Sequence, residues 1–446
     1  MAQRRDCKCP IVRAAPTGVA AHGINGRTMH ALFRLPVGPT KKSLTEPNVP
    51  VLQSLQGQFD GIHYIVLDEK SMINLQQLSW IDQRCRNIFP GRKSELFGGL
   101  SVILAGDFSQ MPPIGSKPLY FSGPLQSSEE IHGRNAYQQF NCTIELDVIR
   151  RQEGNDDESN AFKQALDNLR DQSVTVDDWK LLSGRVQAVV PWEIPQFENA
   201  LRVYFTKERV NTCNHDRLRD LRRPVININA IHTGRRAEEA ESDVAGNLHA
   251  QLPLSIGARI MLTENLWVER GLVNGAIGTV EDIIWPCSAD PMNMGPPTAL
   301  IINFDGYDGP ALSTGDSGQP LVPIFMSRRE FMWGNTPCSR QQFPITVAYA
   351  ITVHKSQGMT VPRAVLNITD SEFSVGLRYV AVSRVKTLQG VLFEQPFDFE
   401  QIKTTKEPKT VSMWKDDIKR RAPQHVRFFC TLWQLNIVSD SAYSLP

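Results

Sequence analysis

The segment YIVLDEKSMI, residues 64–73, ends an apolar run with two adjacent carboxylates, Asp68 and Glu69. In nucleotide-hydrolysing enzymes, a buried strand that delivers a paired Asp and Glu to its carboxyl end holds magnesium and orients the attacking water. An apolar strand that ends in acidic residues also occurs by chance in many α/β domains, where it is only a capped strand end. Taken alone, the segment supports both interpretations about equally.

A second apolar run, in LAGDFSQMPPI at 104–114, ends at Asp107 and is followed by Gln110. This order is expected if Gln110 senses a γ-phosphate while Phe108 and the rigid Pro112–Pro113 pair face another ligand. The simpler interpretation is a strand followed by a turn that proline stiffens. The second run makes a nucleotide site the better explanation of the first.

Two arginines also follow apolar runs, Arg151 in ELDVIRRQ and Arg384 in VAVSRVK. Each could reach across a cleft and stabilise charge on a phosphoryl group in transfer. A single arginine in such a position is more often a surface salt-bridge partner.

The segment AITVHKSQGMT, residues 350–360, places His354, Lys355, Gln357 and Gly358 just after a predicted strand. Glycine there would let the backbone approach a ligand closely. The alternative is a polar helix start in which His354 is simply hydrogen-bonded.

The segment APTGVAAHGINGRTMHALFRL, residues 15–35, spaces three glycines around polar residues that include Thr28 and His30. A turn of this kind before a helix suits phosphate or sugar contacts with single-stranded nucleic acid, or merely tight packing.

The elements that position these residues follow an α/β pattern. Short apolar runs predict strands at 11–15, 61–69, 100–107, 142–148 and 201–205, and residues 151–185 are predicted helical. Open parallel sheets bind ligands at the carboxyl ends of their strands, where the polar residues above fall. From about 224 to 343, glycines, prolines and asparagines separate the short runs ARIML, AIGTVEDII and TALIINF, which predicts a small β-rich insertion.

The composition excludes several classes of protein. Forty-eight basic and forty-seven acidic residues give a net charge of +1, so overall charge predicts neither nucleic-acid nor membrane binding. The eight cysteines are scattered without zinc or disulfide spacing, which favours a reducing, intracellular location. No apolar stretch approaches membrane-spanning length.

In this order and spacing the segments resemble the Pif-type, RecD-like DNA helicases of superfamily 1B, including the helicase portions of Helitron transposons. The resemblance runs from about residue 10 to about 395. It rests on six segments: APTGVAAHGINGRTMH, DEKSM, GDFSQMPPI, GLVNGAIGTV, HKSQG and YVAVSR.

The resemblance implies an α/β fold of two RecA-like P-loop NTPase domains, with ATP between them and single-stranded DNA across their tops. The expected divisions are a first domain at 1–150, a second at 151–223 and 344–402, an SH3-like β insertion at 224–343, and an appendage at 403–446. By position, five residues would be catalytic: Asp68 as the magnesium ligand, Glu69 for the water, Gln110 for the γ-phosphate, and Arg151 and Arg384 for charge. Three would couple nucleotide to DNA: Lys355, Gln357 and Gly358. Five would lie near the DNA strand: Thr28, His30, Phe108, Pro112 and His354.

The chain departs from the family pattern in two ways. Lys70, Ala105 and Arg150 stand where the family usually has an apolar residue, a glycine and an aromatic residue. More importantly, the family carries its phosphate loop, GxxxxGK[ST], on a strand–loop–helix unit of about 30 residues before the APTG motif. None of the thirty glycines here is followed by lysine, and only MAQRRDCKC precedes IVRAAPTG. We therefore expect either a truncated gene model or transposon remnant, or a chain that kept the fold and lost its ATP chemistry.

In the family, the strand of that unit is internal to the first sheet. It lies between the strands that match SVILA (101–105) and TIELD (143–147). The first domain is therefore expected to lack its phosphate-loop strand and to have a gap at this place.

The resemblance predicts an ATP-dependent 5′→3′ DNA helicase with Mg²⁺ as cofactor and ATP as substrate. Single-stranded DNA and duplex junctions would be its partners, without a membrane, in repair, recombination, telomere or transposon replication. A nuclear location is expected, with mitochondria as the alternative. The rival interpretation is a non-catalytic remnant that binds single-stranded DNA or a partner protein. A metal-dependent nuclease built on Asp68, Glu69 and Asp107 is disfavoured because the ExK spacing of such a site is absent.

Overall fold

A computed structural model of the chain describes residues 9–36, 43–146, 148–242, 244–286, 295–310, 313–315, 318–333, 336–370, 372, 374–404 and 407–421. Two four-stranded parallel sheets organise these residues, and antiparallel sheets lie between them in the sequence. Within the described ranges, no helix is long and apolar enough to cross a membrane.

The first parallel sheet has the strand order β2-β1-β3-β4. Its elements, in chain order, are β1 (Ile11–Ala15), α1 (Gly18–Gly23), β2 (Arg27–Thr28), α2 (Met29–Phe33), α3 (Val49–Phe59), β3 (Tyr64–Leu67), α4 (Leu75–Ile88), β4 (Ser101–Leu104) and α5 (Ser128–Gln138). Helix α4 begins at a capping box in which Asn74 and Gln77 each bond the other's backbone. The helices bury one face of the sheet in an apolar core. The strands predicted at 11–15, 61–69 and 100–107 are confirmed.

The strand predicted at 142–148 is wrong. Residues 141–146 and 148–150 form no strand, although Thr143 takes part in an isolated β-bridge, and β4 is the last strand of the sheet among the described residues. Leu146 is 92% exposed. A strand needs a neighbour for its backbone hydrogen bonds, and the described part of the chain offers none here.

The second parallel sheet has the order β17-β5-β18-β19. Its elements before the insertion are α6 (Asp157–Arg170), α7 (Val176–Ser183), β5 (Leu201–Tyr204) and α8 (Lys207–Asp220). This confirms the helices predicted within 151–185 and the strand predicted at 201–205.

Antiparallel strands fill the interval between β5 and the rest of that sheet. They are β6 (Ile226–Asn229), β7 (Ile231–Thr233), β8 (Gln251–Leu254), β9 (Arg259–Leu262), β10 (Ile277–Ile284), β11 (Ala299–Phe304), β12 (Ser313–Thr314), β13 (Pro320–Ile324), β14 (Ser327–Trp333), β15 (Thr336–Gln342) and β16 (Ile345–Val347). Six of these strands form one sheet, in which β16 pairs with β9. The sheet therefore extends past residue 343, the predicted end of the insertion. Its SH3-like character and the domain limits stay predictions.

The chain then returns to the second parallel sheet and ends on the first domain. The remaining elements are β17 (Ala350–Thr352), α9 (Val353–Ser356), β18 (Ala364–Leu366), α10 (Leu377–Val382), β19 (Val391–Phe393), α11 (Phe399–Ile402) and α12 (Lys409–Arg420). Helix α12 buries Val411 and Trp414 in the core of the first domain. Asp417 on α12 accepts a hydrogen bond of 2.7 Å from the Tyr137 hydroxyl. The part of the predicted appendage after residue 421 lies outside the described residues.

Arg340 fixes the inner part of the insertion. Its fully buried guanidinium donates to the carbonyl oxygens of Leu248, Ala237 and Ala240 at 2.7–2.9 Å. Burial lowers the pKa of this arginine, because removing the cation from water costs free energy. The hydrogen bonds to the three carbonyl oxygens offset that cost.

We expect Arg340→Met to lower the free energy of unfolding by about 3–5 kcal/mol, because three buried carbonyls lose their donors. Urea denaturation of the whole chain measures the change. The control is Arg328→Met, which alters an exposed arginine of the same sheet and should cost less than about 0.5 kcal/mol. Equal costs for the two variants would contradict the assigned role of Arg340.

Candidate active site between the two parallel-sheet domains

Glu69 lies where β3 ends, on a backbone that is fixed from both sides. The Asp68 amide donates to the Ala14 carbonyl at 2.9 Å, and the Lys70 amide donates to the Ala105 carbonyl at 2.8 Å. Glu69 itself is left-handed, with φ 51° and ψ 50°. A non-glycine residue in this conformation costs free energy, and such residues cluster at functional sites.

The end of β4 reaches this carboxylate pair because residue 106 is glycine. Gly106 has φ 123°, and a Cβ there would lie 2.7 Å from the Lys70 nitrogen. The next turn is closed by the Ser109 amide, which donates to the Asp107 carboxylate at 3.0 Å. This turn directs Gln110 towards the second domain.

Gln357, which follows α9 in the second domain, meets the first domain at this point. Its buried amide nitrogen lies 3.4 Å from each of three oxygens, on Glu69, Ser71 and Gln110. All three contacts are long, so the nitrogen is shared among the oxygens and not committed to one of them. Gly358, at φ 80°, keeps the backbone close, because a Cβ there would lie 4.0 Å from the Glu69 carboxylate.

The carbonyl oxygen of Gln357 is buried and accepts no hydrogen bond from the described residues. A buried acceptor without a donor is costly in protein, and a water molecule or a ligand hydroxyl could supply the proton. The cleft beside Glu69 is therefore suited to a small hydrogen-bond donor.

The electrostatic surroundings make Glu69 a stronger base than an ordinary glutamate. Burial raises its pKa and so does the adjacent Asp68 carboxylate, while the Gln357 amide, Arg384 and Arg151 act in the opposite direction. A carboxylate with a raised pKa accepts a proton more readily near neutral pH.

Arg384 lies behind the site, almost fully buried. Its guanidinium donates to the Val380 carbonyl at 2.7 Å and to the Ser383 hydroxyl at 2.8 Å, with longer bonds to the carbonyls of Ser356 and Met359. Burial, together with the nearby Arg151, lowers the pKa of Arg384 to about 10, so it stays charged at neutral pH. In this structure it fixes the Gln357 loop and acts on Glu69 through its charge.

Arg151 also binds the second domain. Its Nε donates to the Thr360 hydroxyl at 3.1 Å, and a longer bond of 3.4 Å reaches the Ser383 carbonyl. The two predicted arginines therefore lie on the same side of the cleft.

The fit to magnesium and nucleotide is partial. The described residues contain no group of three His, Cys, Asp or Glu side chains able to hold a metal. Mg²⁺ commonly keeps several waters and binds through one or two carboxylates and the substrate phosphates, so the half-exposed Asp68 fits that limited role. These 446 residues contain no GxxxxGK[ST] loop to bind the phosphates.

The five residues predicted to lie near DNA differ in burial and in their contacts. Phe108 is buried, with its ring edge-on to Tyr120 at 4.9 Å, and its position near the DNA strand stays a prediction. Thr28 is also buried and caps α2 through the Ala31 amide. Pro112 is half-buried. Burial lowers the pKa of both His30 and His354, so neither side chain supplies positive charge at neutral pH.

A cavity of about 530 Å³, lined by both apolar and polar side chains, lies between α8, the end of β17 and the insertion. Lys355, an expected site residue, lines it together with Lys207, Asn211, His215 and His249. The position of α8 directly after β5 could have identified Lys207 from the sequence, since ligands bind at that edge of a parallel sheet. His249 gave no such signal, because only the fold brings the insertion to this edge.

The sequence is similar to those of known helicases. Residues 3–179 match the family model of the PIF1-like helicase, and residues 243–283 match that of the DNA helicase Pif1 2B domain. The ATP-dependent DNA helicase PIF1 of Danio rerio is 29% identical over 84% of this chain and 53% of its own length. The ATP-dependent DNA helicase Pif1 of a Psychrobacter species is 28% identical over 86% of this chain and 61% of its own length. The chain thus spans between half and two thirds of these relatives.

Solved structures give the same fold. A structure of two coordinating Pif1 helicases at forked double-stranded DNA aligns with a TM-score of 0.67, 23% identity, and coverage of 95% of this chain and 91% of that chain. Bacteroides Pif1 bound to single-stranded DNA aligns with a TM-score of 0.65, 23% identity, and coverage of 92% and 87%. The prediction of two RecA-like domains is confirmed. With six motif segments in order, two family models and this fold, the chain resembles the Pif1-type helicases of superfamily 1B in sequence and in fold.

Proposed function

We propose that this chain is the motor core of an ATP-dependent DNA helicase that moves 5′→3′ along single-stranded DNA and separates duplexes. One observation carries the proposal: the Gln357 amide of the second domain lies 3.4 Å from both Glu69 and Gln110 of the first. Gln110 of the first domain would contact the nucleotide, and Gln357 of the second domain contacts Gln110. Such a contact can convert hydrolysis into motion of one domain relative to the other.

Each residue then has a defined role. Asp68 would hold Mg²⁺ if the ion binds with the nucleotide, and Glu69 accepts the proton of the attacking water, as its raised pKa favours. Gln110 and Gln357 orient that water, whose hydrogen also satisfies the buried Gln357 carbonyl. Arg384 and Arg151 add positive charge as the γ-phosphoryl group passes from ADP to the water. The nucleotide, when bound, supplies ADP as the leaving group, and Mg²⁺ would supply further positive charge beside the phosphates.

The DNA path is the cavity between α8 and the insertion. Lysines, histidines and asparagines line it, and these side chains suit phosphate and sugar contacts. DNA in this cavity would contact Lys355, two residues from Gln357, so strand movement and nucleotide state would be linked through one short segment. Action on DNA also makes the nucleus the expected location.

The experiment that tests the proposal uses a chain supplied with a phosphate-loop segment at its N-terminus. Gln357→Ala should reduce DNA-stimulated ATP hydrolysis by about tenfold or more while single-stranded DNA still binds. The matched control is Gln164→Ala, which alters an exposed glutamine on α6. Equal DNA-stimulated rates for the two variants would overturn the proposed coupling.

A second function is favoured by a specific observation. The 446 residues contain the cavity and the coupling glutamines but no GxxxxGK[ST] loop. A protein of this kind would bind single-stranded DNA without turnover. It predicts the same DNA affinity with and without nucleotide, whereas the motor predicts that the affinity depends on nucleotide.

We expect single-stranded DNA to bind weakly and with strong salt dependence, because the net charge is only +1 and the basic groups are local. Lys207→Gln with Lys355→Gln should lower the affinity and flatten the plot of log K against log salt by about 0.7 for each phosphate that is no longer neutralised. Titration of a labelled oligonucleotide at several salt concentrations measures both. Lys180→Gln, an exposed lysine on α7, is the control. An unchanged slope in the double variant would remove the cavity as the DNA path.

A further inference from the structure

The cavity between α8 and the insertion has an apolar floor that contacts with phosphate do not explain. The floor consists of five buried side chains from α8, the insertion and β17: Leu218, Leu252, Met261, Val347 and Ile351. Phosphate and sugar groups gain nothing from apolar contacts of this kind, whereas a flat organic group does. The volume of about 530 Å³ lies within the range of about 300–1,000 Å³ that is typical of small-molecule pockets.

The rim of the cavity has the opposite character. Its exposed residues include Lys207, Asn211, His215 and Lys355. Among the described residues that line the cavity there is no Asp or Glu. A ligand that is apolar at its inner end and negatively charged at its outer end therefore fits both parts. A nucleotide of a single strand has this character, because its base presents apolar faces and its phosphate carries the charge.

Thr263, directly after β9, adds a polar group to the lining of the cavity. Its side chain is buried, and its amide donates to the Pro344 carbonyl at 2.8 Å. The Thr263 hydroxyl has no hydrogen-bond partner among the described residues. A buried hydroxyl without a partner costs free energy, and the edge of a nucleobase carries donors and acceptors that could satisfy it.

Asn214 on α8 is buried in the same lining, but its carboxamide is already used. It donates to the carbonyls of Val347 and Ala350 at 3.0 and 3.1 Å and accepts from the Ala350 amide at 2.8 Å. These bonds hold α8 against the start of β17. Asn214 therefore fixes the shape of the floor, and Thr263 is the buried lining residue that can still bond a ligand.

We propose that the cavity takes a nucleobase of the bound single strand, with the base on the apolar floor, Thr263 hydrogen-bonded to its edge and the sugar–phosphate at the rim. This site rests on the proposed function, because it lies in the proposed DNA path. Turning a base away from its neighbours costs least in a strand that is already single. Affinity then depends on the bases as well as on the phosphates.

Strands with and without bases test the proposal on the full chain. One oligonucleotide carries thymine throughout, and the other, of equal length, is abasic throughout, so the two carry the same phosphates. Val210→Trp places a large ring in the cavity from the half-buried position on α8, and it should weaken binding of the thymine strand by about tenfold or more. Thr263→Val removes only the hydroxyl and should weaken it about threefold to tenfold, whereas Thr263→Ser should restore it. Binding of the abasic strand should change by less than about twofold in each variant.

The control for the added ring is Val176→Trp, which alters an exposed residue at the start of α7 and should change binding of neither strand. Abasic-strand binding also reports whether each variant is folded. Losses confined to the thymine strand support the proposal. Equal losses for the two strands overturn the base site, and the double lysine variant above then shows whether the DNA path stands without it.

Photo-cross-linking gives a second readout without any substitution in the protein. A strand that carries 4-thiothymine cross-links from the base itself, and mass spectrometry locates the modified residues. Cross-links to the floor, at Leu252, Met261 or Ile351, support the proposal. Cross-links only to residues outside the cavity overturn it. Failure of the unaltered chain to bind either strand would overturn the DNA path and the base site together.

Discussion

A polypeptide of these 446 residues is expected to hydrolyse ATP at background rate, with or without single-stranded DNA. Asp68 and Glu69 can hold magnesium and activate water, but no glycine in the sequence is followed by a lysine that could hold the phosphates. Electrostatic stabilisation of the phosphoryl group supplies much of the catalysis in such enzymes. Without groups that bind the phosphates, Asp68 and Glu69 should not raise the rate of ATP hydrolysis above background. A coupled assay of phosphate release measures it.

Supplying the phosphate loop should restore turnover. The fused chain carries an N-terminal strand–loop–helix segment of about 30 residues with GxxxxGK[ST]. Glu69→Gln in that chain should then lower the rate about 10²–10⁴-fold, because the amide cannot accept the water's proton. The matched control is the same fused chain with the loop lysine replaced by alanine. DNA-stimulated turnover in the original polypeptide would contradict this account of the site.

Residues 1–150 expressed alone are expected to aggregate or to melt without cooperativity. The structure gives two physical reasons. The β4 edge has no partner in the described part of this segment, and its core loses Val411 and Trp414 of α12. Loss of a buried tryptophan alone typically costs about 3–5 kcal/mol, a large part of the stability of a domain this size.

Adding the missing parts back separates these reasons. Residues 1–150 joined by a flexible linker to residues 407–421 should regain solubility in part, and the phosphate-loop segment should restore cooperative melting. Size-exclusion chromatography and calorimetry report the two properties. If residues 1–150 alone are monomeric and melt as sharply as the extended versions, neither segment belongs to the first domain's fold.

The sequence alone predicts the strands whose residue pattern is distinctive. The strands that end at Ala15, Leu67 and Leu104 are apolar runs with polar ends, and such runs form strands wherever a sheet can accept them. The run at 142–148 has the same composition, yet its described residues form no strand. Composition indicates the tendency of a segment to form a β-strand, but it does not show whether a neighbouring strand is present to pair with it.

Side-chain roles were predictable to the extent that local sequence determines them. Gln357 and Gln110 follow strands and meet as that position suggests, whereas Ser71 at the same contact had no distinguishing signal. Phe108 was expected near the DNA strand, and it packs against Tyr120 and Tyr137, a packing that residue types alone do not specify. Lys207 and His249 share a cavity only because the insertion folds back onto α8.

Strand separation by the fused chain tests the central claim most directly. Two duplexes of equal length are compared, one with only a 5′ single-stranded tail and one with only a 3′ tail, with and without ATP. The account predicts ATP-dependent separation of the 5′-tailed duplex, none of the 3′-tailed duplex, and none of either when Glu69→Gln is introduced. A fused chain that binds the DNA and hydrolyses ATP but separates neither duplex would contradict the assignment of a helicase motor.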